Sequence, residues 1–190
     1  MVVMDELSLH IFAGIRTRPD GCTAVLLRGE PPEFLARERH TFEYRERTCV
    51  ERMARLASFV GKRVCEQWRP GAVAVATLSP GIRLRSTSVD RGHLDGVILL
   101  AARNAGVATV IPVSTVRLKR LIPLMRMKAS AAMSAMCADL GLSAGRKGEV
   151  TRNQFELEAI GAALFAAWSS GVALPVWAQQ PGLQAAGDAI

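Results

Sequence analysis

The chain has 190 residues, which is enough for one domain with a substantial buried core and short for two. Hydrophobic residues make up 49% of the sequence and charged residues 22%, a composition typical of a globular protein that excludes a disordered chain. The formal net charge is +7, and a basic domain attracts polyanions, of which nucleic acid is the commonest. The alternative is a solvated basic surface that serves solubility.

The cysteines and histidines show no metal-binding spacing. No CxxC pair occurs among the four cysteines, and the three histidines lie near none of them in the sequence, so the pattern indicates no zinc site. Asp5 and Glu6 interrupt the apolar start, and no apolar run reaches the roughly 18 residues that a bilayer requires. We therefore expect free thiols, no membrane segment and a cytoplasmic location.

The first part of the chain predicts three antiparallel strands. Mostly apolar runs at residues 7–15 and 23–27 flank Arg16–Gly21, whose Pro-Asp-Gly supplies turn chemistry. This pattern predicts a hairpin. A third strand over residues 34–44 follows the Pro31-Pro32 break.

The remainder alternates between helical and strand patterns. Residues 46–68 carry an apolar stripe at helical spacing, and residues 72–77 form a short apolar run typical of a strand buried in a mixed or parallel sheet. This order predicts a single α/β domain over residues 1–170. The later predicted elements are a helix at 88–105, a strand at 107–113, a short helix capped by Ser114 or Thr115, a helix at 128–140, a basic loop at 142–151, a helix at 152–168 and a flexible tail at 171–190.

Several local strings resemble the RuvC family of Holliday junction resolvases, within the RNase H-like superfamily. They are Gly92-His-Leu-Asp-Gly96 with the apolar run after it, Val116-Arg117, Lys128, and the helix containing Glu158-Ala-Ile-Gly-Ala-Ala. The order of elements is similar over residues 7–168. The resemblance implies an RNase H-like (RuvC-like) mixed β-sheet, with three leading antiparallel strands, flanking helices, and strand 72–77 beside strand 7–15.

The catalytic carboxylates that this resemblance implies are mostly missing. RuvC-type nucleases hold two divalent metals with about four acidic residues, because Mg²⁺ prefers oxygen ligands. The resemblance places these positions near Ala13 or Gly14, at Thr77, at Phe155 and at Glu158, and only Glu158 is acidic. We therefore expect no intact catalytic site, no bound metal and no cofactor. The alternative is an active Mg²⁺-dependent endonuclease whose ligands are rebuilt from nearby acids, namely Asp20, Asp95 or Glu156.

Basic residues cluster at positions where this family contacts DNA, and two more follow the carboxyl end of the 72–77 strand, where ligands bind in open α/β sheets. Few aromatic residues interleave with them, which argues against a stacking platform for single strands. The alternative is that these charges are scattered and solvated. The predicted nucleic-acid-binding residues are Arg83, Arg85, Arg117, Lys119, Arg120, Arg126, Lys128, Arg146 and Lys147.

These observations lead to three hypotheses. The first is a catalytically degenerate RuvC-like protein that binds branched or double-stranded DNA, as a subunit of a DNA-processing complex. The second is the rebuilt endonuclease, and the third is an interaction scaffold that has also lost DNA binding. Gly92 and Gly96 predict a close approach by a neighbouring element, and the resemblance implies a homodimer.

Overall fold

Five strands form one mixed sheet in the computed structural model, which describes residues 10–43, 48–77, 86–126, 154–175 and 178. The strand order is β3-β2-β1-β4-β5, in which β1 and β2 pair antiparallel, as do β2 and β3, whereas β1 pairs parallel with β4 and β4 with β5. This arrangement confirms the predicted antiparallel start and the predicted pairing of β1 with β4. The strands are β1 (Ile11–Arg18), β2 (Gly21–Arg28), β3 (Glu33–Thr41), β4 (Ala72–Thr77) and β5 (Thr109–Ser114).

Helices cover both faces of the sheet. Thr48 and Glu51 form a capping box at the start of α1, and Ser114 caps α3 by accepting a hydrogen bond from the Arg117 backbone N–H. The helices are α1 (Cys49–Ser58), which continues as a π-helical segment (Phe59–Glu66), α2 (Ser86–Asn104), α3 (Thr115–Leu121), a 3-10 turn (Pro123–Arg126) and α4 (Gln154–Ser169).

Side chains along β1 and β4 alternate between two cores. Ala13 and Val73 pack with the core that α1, the π-helical segment and α2 form, which we call the α2 face. Phe12 and Ala74 pack with the core that α3 and α4 form, the α4 face. Burial on both faces explains why these strands are nearly continuous apolar runs.

The structure extends β1 beyond its predicted end. Arg16 and Thr17 are paired strand residues, opposite Thr23 and Cys22 of β2, and only Pro19 and Asp20 form the turn. The polar Arg-Thr-Arg string had predicted a loop. Its side chains stay in the strand because they find partners inside the protein, as described below.

Some predictions fall outside the described residues, namely the helix at 128–140 and the basic loop at 142–151. The predicted tail is described only at residues 171–175 and 178. Val172 and Ala178 are buried, so packing continues past the predicted domain end at residue 170. Among the described residues, no helix combines the length and apolar character that crossing a bilayer requires.

Candidate functional site

A buried ion pair joins β1 to the first turns of α4. The guanidinium of Arg16 donates a hydrogen bond to the carboxylate of Glu158, and the two side chains are only 5% and 7% exposed. Gln154 donates to the other oxygen of Glu158 at 3.2 Å, and the ring of Phe155 lies 5.4 Å from the Arg16 guanidinium carbon. A second nitrogen of Arg16 donates to the Ala76 carbonyl of β4 at 3.3 Å. The charges are thus neutralised and hydrogen-bonded, as burial requires.

Gly14 is what allows α4 to lie this close to β1. A Cβ at this position would sit 2.0 Å from the carbonyl oxygen of Ala159 and 2.1 Å from the backbone nitrogen of Ala163. These are backbone atoms of α4, so any side chain would push the helix away from the sheet. Glycine here therefore sets the spacing at which Glu158 meets Arg16.

A second buried carboxylate, Asp95 of α2, lies at the same end of the sheet. Its Oδ1 accepts a hydrogen bond from Thr17 Oγ1 at 2.6 Å, and its Oδ2 lies 3.7 Å from Nε of Arg91. Arg91 also donates to the Ala76 carbonyl at 3.4 Å. Arg16 and Arg91 thus share one carbonyl, and through it the network links the helices on the two faces.

Burial dominates the titration of this network. It raises the pKa of Asp95 to about 6, although the hydrogen bond from Thr17 and the charge of Arg16 act in the opposite direction. Burial also lowers the pKa of the Arg16 guanidinium, and the charges of Glu158 and Asp95 oppose that change. An arginine side chain remains protonated in proteins, so Arg16 contributes a permanent positive charge between two carboxylates.

Glu156 forms a separate site on the same helix. Its two oxygens accept hydrogen bonds from Arg37 at 2.5 Å and Arg39 at 2.7 Å, both on β3. The carboxylate is 6% exposed, whereas the two arginines are 39% and 35% exposed. Glu156 and Glu158 therefore face different strands, as their spacing of two residues on a helix predicts.

The structure corrects the predicted catalytic positions on the strands. Ala13 lies on the α2 face, and Gly14 lies against the α4 backbone, so neither offers a side chain toward Glu158. The β1 residue that faces Glu158 is Arg16. On β4 the α4 face carries Ala76, so Thr77 alternates to the opposite face. Strand alternation puts Arg16 on the same face as Gly14 only because β1 extends past residue 15, which the polar Arg-Thr-Arg string does not predict.

The two predicted positions on the last helix lie at the start of α4. Phe155 and Glu158 both lie beside Arg16. The carboxylates proposed as substitute ligands are each engaged with another group: Asp95 with Thr17 and Arg91, Glu156 with the β3 arginines, and Asp20 with Arg18 at 3.4 Å. In the described part of the chain, the only group of three closely spaced ligand side chains lies elsewhere, on α1 and α2.

Four of the predicted basic residues lie on α3 and the 3-10 turn, the two elements that follow the edge strand β5. All four are exposed. The guanidinium of Arg117 lies 5.0 Å from the ring of Phe165, and Arg126 donates to the Lys119 carbonyl at 2.8 Å, which holds the 3-10 turn against α3. We call these four residues, Arg117, Lys119, Arg120 and Arg126, the α3 basic patch. The other predicted basic residues, Arg83, Arg85, Lys128, Arg146 and Lys147, lie outside the described residues.

No described residue makes the close approach that Gly92 and Gly96 predict. A Cβ at Gly92 or at Gly96 would have no neighbour within 4 Å among the described residues. In the described part of the chain, neither glycine therefore lies at a close helix contact.

No protein-family model matches the sequence, and no curated protein matches it either. Solved structures do match. RuvC from T. thermophilus in complex with a Holliday junction substrate has a TM-score of 0.66 and 22% identity, over 86% of this chain and 97% of that one. A second Thermus thermophilus RuvC structure has a TM-score of 0.64 and 23% identity, over 85% and 97%. The yeast mitochondrial Holliday junction resolvase Ydc2 has a TM-score of 0.54 and 9% identity, over 83% and 76%.

These matches establish the fold. The five-stranded mixed sheet with helices on both faces is the RuvC-like form of the RNase H-like fold. They also confirm the fold that the sequence resemblance implied.

Proposed function

We propose that this protein is a catalytically inactive member of the RuvC-like fold class that binds branched or double-stranded DNA, as a subunit of a DNA-processing complex. The observation that carries the proposal is the buried Arg16–Glu158 ion pair. It puts a fixed positive charge opposite the one acidic residue retained among the four expected catalytic positions.

The chemistry of a two-metal nuclease conflicts with this arrangement. Each Mg²⁺ requires near-octahedral oxygen coordination, so several carboxylates have to converge on a shared cavity. Here the side chains on the α4 face at this end of β1 and β4 are Arg16 and Ala76, and neither supplies an anionic oxygen. The Arg16 guanidinium already neutralises Glu158. The proposal therefore includes no metal cofactor.

The rebuilt-endonuclease alternative needs Asp95 and Glu158 to share a metal. Arg16 interacts electrostatically with both carboxylates, and Thr17 takes one oxygen of Asp95. A metal would have to displace the guanidinium and break that hydrogen bond. This is why we favour the inactive form.

Nucleic-acid binding is supported by charge and by fold. The net charge is +7, and the α3 basic patch presents four exposed cations from two short consecutive elements. One structural neighbour was solved with a Holliday junction substrate. Clustered arginine and lysine side chains bind phosphates and give affinity that falls with salt.

The cleavage test uses purified protein with four-way junctions, flaps and single strands in Mg²⁺ or Mn²⁺. We expect junction binding without cleavage. Metal-dependent cleavage that disappears in Glu158→Ala, with the variant shown to be folded by circular dichroism, would support the endonuclease alternative instead. Cleavage that survives this substitution would indicate a contaminant or a different active site. An Asp95→Asn variant purified in the same way distinguishes the two, because it abolishes cleavage only if Asp95 belongs to that active site.

The binding test compares two triple variants of equal charge change. Replacing Arg117, Lys119 and Arg120 by Gln should weaken junction binding and reduce the slope of log K against log salt by about 2–3, since each lost phosphate contact removes about 0.9. Arg55, Lys62 and Arg63 are exposed residues of α1 and the π-helical segment, on the other face, and their Gln variant is the matched control. Equal affinities of both variants and wild type would favour the scaffold hypothesis.

We also propose that the protein acts as a homodimer in the cytoplasm. Leu100 of α2 is 60% exposed, and the open surface at Gly92 and Gly96 lies on the same helix, so a second copy has an apolar surface to cover. Sedimentation velocity should show a dimer for wild type and a monomer for Leu100→Glu. A monomeric wild type would remove this part of the proposal.

A further inference from the structure

Three side chains with metal-binding chemistry meet where α1 begins beside α2. They are the thiol of Cys49, the carboxylate of Asp90 and the imidazole of His93, and their ligand atoms all lie within 4.8 Å of one another. Asp90 and His93 are exposed and Cys49 is half-buried, so an ion from solvent reaches all three. None of the three makes a side-chain hydrogen bond or ion pair with another described residue.

The backbone holds these positions in place. Asp90 and His93 are three residues apart on α2, which puts both on one side of the helix. Cys49 is the first residue of α1, directly after Thr48, whose capping box with Glu51 sets the geometry of that helix start. Leu56 of α1 packs with Leu94 and Ile98 of α2 in a shared buried core, so the two helices keep their relative position.

We propose that Cys49, Asp90 and His93 bind one Zn²⁺-like divalent ion that links the start of α1 to α2. Sulfur, imidazole nitrogen and carboxylate oxygen are the ligand types that Zn²⁺ takes, with bonds of about 2.0–2.3 Å. Tetrahedral bonds of that length put ligand atoms roughly 3.5 Å apart. Side-chain rotations that move the ligand atoms by about 1 Å are therefore sufficient to complete the site. Three protein ligands leave the fourth position to water. A thiolate ligand makes Mg²⁺ a poor competitor.

Cys49 is the appropriate thiol among the described cysteines. Burial raises the pKa of Cys22 to about 12 and that of Cys65 to about 11, which disfavours the thiolate that a metal needs. Cys49 is the more accessible of the three. The site lies on the α2 face, and the α3 basic patch belongs to the other face, so metal binding and DNA binding are separable properties.

The test uses Co²⁺ and Zn²⁺ with the full-length protein under reducing conditions. We expect one equivalent of Co²⁺ to produce a thiolate-to-metal absorption band and intense visible bands of tetrahedral coordination, which one equivalent of Zn²⁺ abolishes and a large excess of Mg²⁺ does not. Cys49→Ser should remove the thiolate band. His93→Ala and Asp90→Asn should each weaken Zn²⁺ binding at least about tenfold, the effect of losing about 1.4 kcal/mol.

The control variants are His10→Ala and Asp20→Asn, which remove an exposed histidine and an exposed acid outside the group. Both should bind Zn²⁺ as wild type does. A thiolate band that persists in Cys49→Ser, or Zn²⁺ affinity unchanged in both His93→Ala and Asp90→Asn, would overturn the site. Far-UV circular dichroism on each variant separates loss of the metal site from loss of the fold. Junction binding measured with and without Zn²⁺ should be equal.

Discussion

Helix α4 carries two buried glutamates, two residues apart, whose surroundings differ. Glu158 meets Arg16, and both side chains are under 10% exposed. Glu156 meets Arg37 and Arg39, which remain 39% and 35% exposed. In the first pair both charged groups are removed from water and contact each other instead. In the second site the two arginines remain in contact with solvent.

This difference predicts how each site responds to change. A buried ion pair contributes little net stability compared with apolar residues of the same shape, yet losing one partner leaves an uncompensated buried charge. Losing either Arg37 or Arg39 leaves no such charge, because Glu156 keeps the other arginine as a partner. On the same helix, stability is thus kept at the Glu158 site only when both partners are substituted together, whereas at the Glu156 site a single arginine is substituted at little cost.

The largest expected effect is from breaking the inner pair. Glu158→Leu leaves Arg16 buried without its carboxylate and should lower the free energy of unfolding by about 3–5 kcal/mol. Arg16→Met should cost a similar amount. The double variant should recover most of the loss, because two apolar side chains replace two charges. Urea denaturation of all four proteins gives the coupling energy. A double variant as unstable as the sum of the singles would contradict this account.

The second effect is a pH dependence from Asp95. Its pKa rises from 3.8 to about 6 on folding, so the folded state holds the proton more tightly than the unfolded state. Stability from this group is therefore full below about pH 4 and is lost as the pH rises through about 6, by up to about 3 kcal/mol. The Asn variant retains the acceptor for Thr17 and removes the titration. Relative to Asp95→Asn, wild type should lose stability between about pH 4 and pH 7, and a constant difference would refute the assignment.

The third effect tests the spacing between α4 and β1. Gly14→Ala forces backbone atoms of α4 away from the sheet and should destabilise the protein by about 1–3 kcal/mol. Gly61→Ala is the matched control, because its Cβ meets no described neighbour within 4 Å and alanine favours a helix interior. The control should be neutral or stabilising by up to about 1 kcal/mol. Thermal unfolding of both variants measures the contrast.

The smallest effect is expected at the outer site. Arg37→Gln or Arg39→Gln should each cost about 0.2–1 kcal/mol, because the remaining arginine still balances Glu156 and solvent screens the exposed pair. The double variant should cost more than the sum of the two, since it removes both arginines that balance the charge of the buried Glu156. If one single variant costs as much as Glu158→Leu, the contrast between the two sites is wrong.

Local sequence pattern was sufficient for the order of elements. Apolar runs of strand length, helical periodicity and the turn at Pro19-Asp20 predicted every described strand to within a few residues. They also placed Glu158 on the last helix, beside Phe155. These features follow from interactions between residues close in the chain, which a linear sequence displays directly.

The partner of Glu158 was decided only by the tertiary structure. Arg16 lies 142 residues away in sequence, and its charge near a Pro-Asp-Gly turn predicted a loop. Strand alternation likewise decided that Ala76, not Thr77, lies on the α4 face. Sequence spacing predicts no metal site from Cys49 and His93, yet packing of α1 on α2 brings their side chains together. A buried charge is tolerated in a strand only where another element supplies its counter-charge, and that element becomes known only once the helices are packed on the sheet.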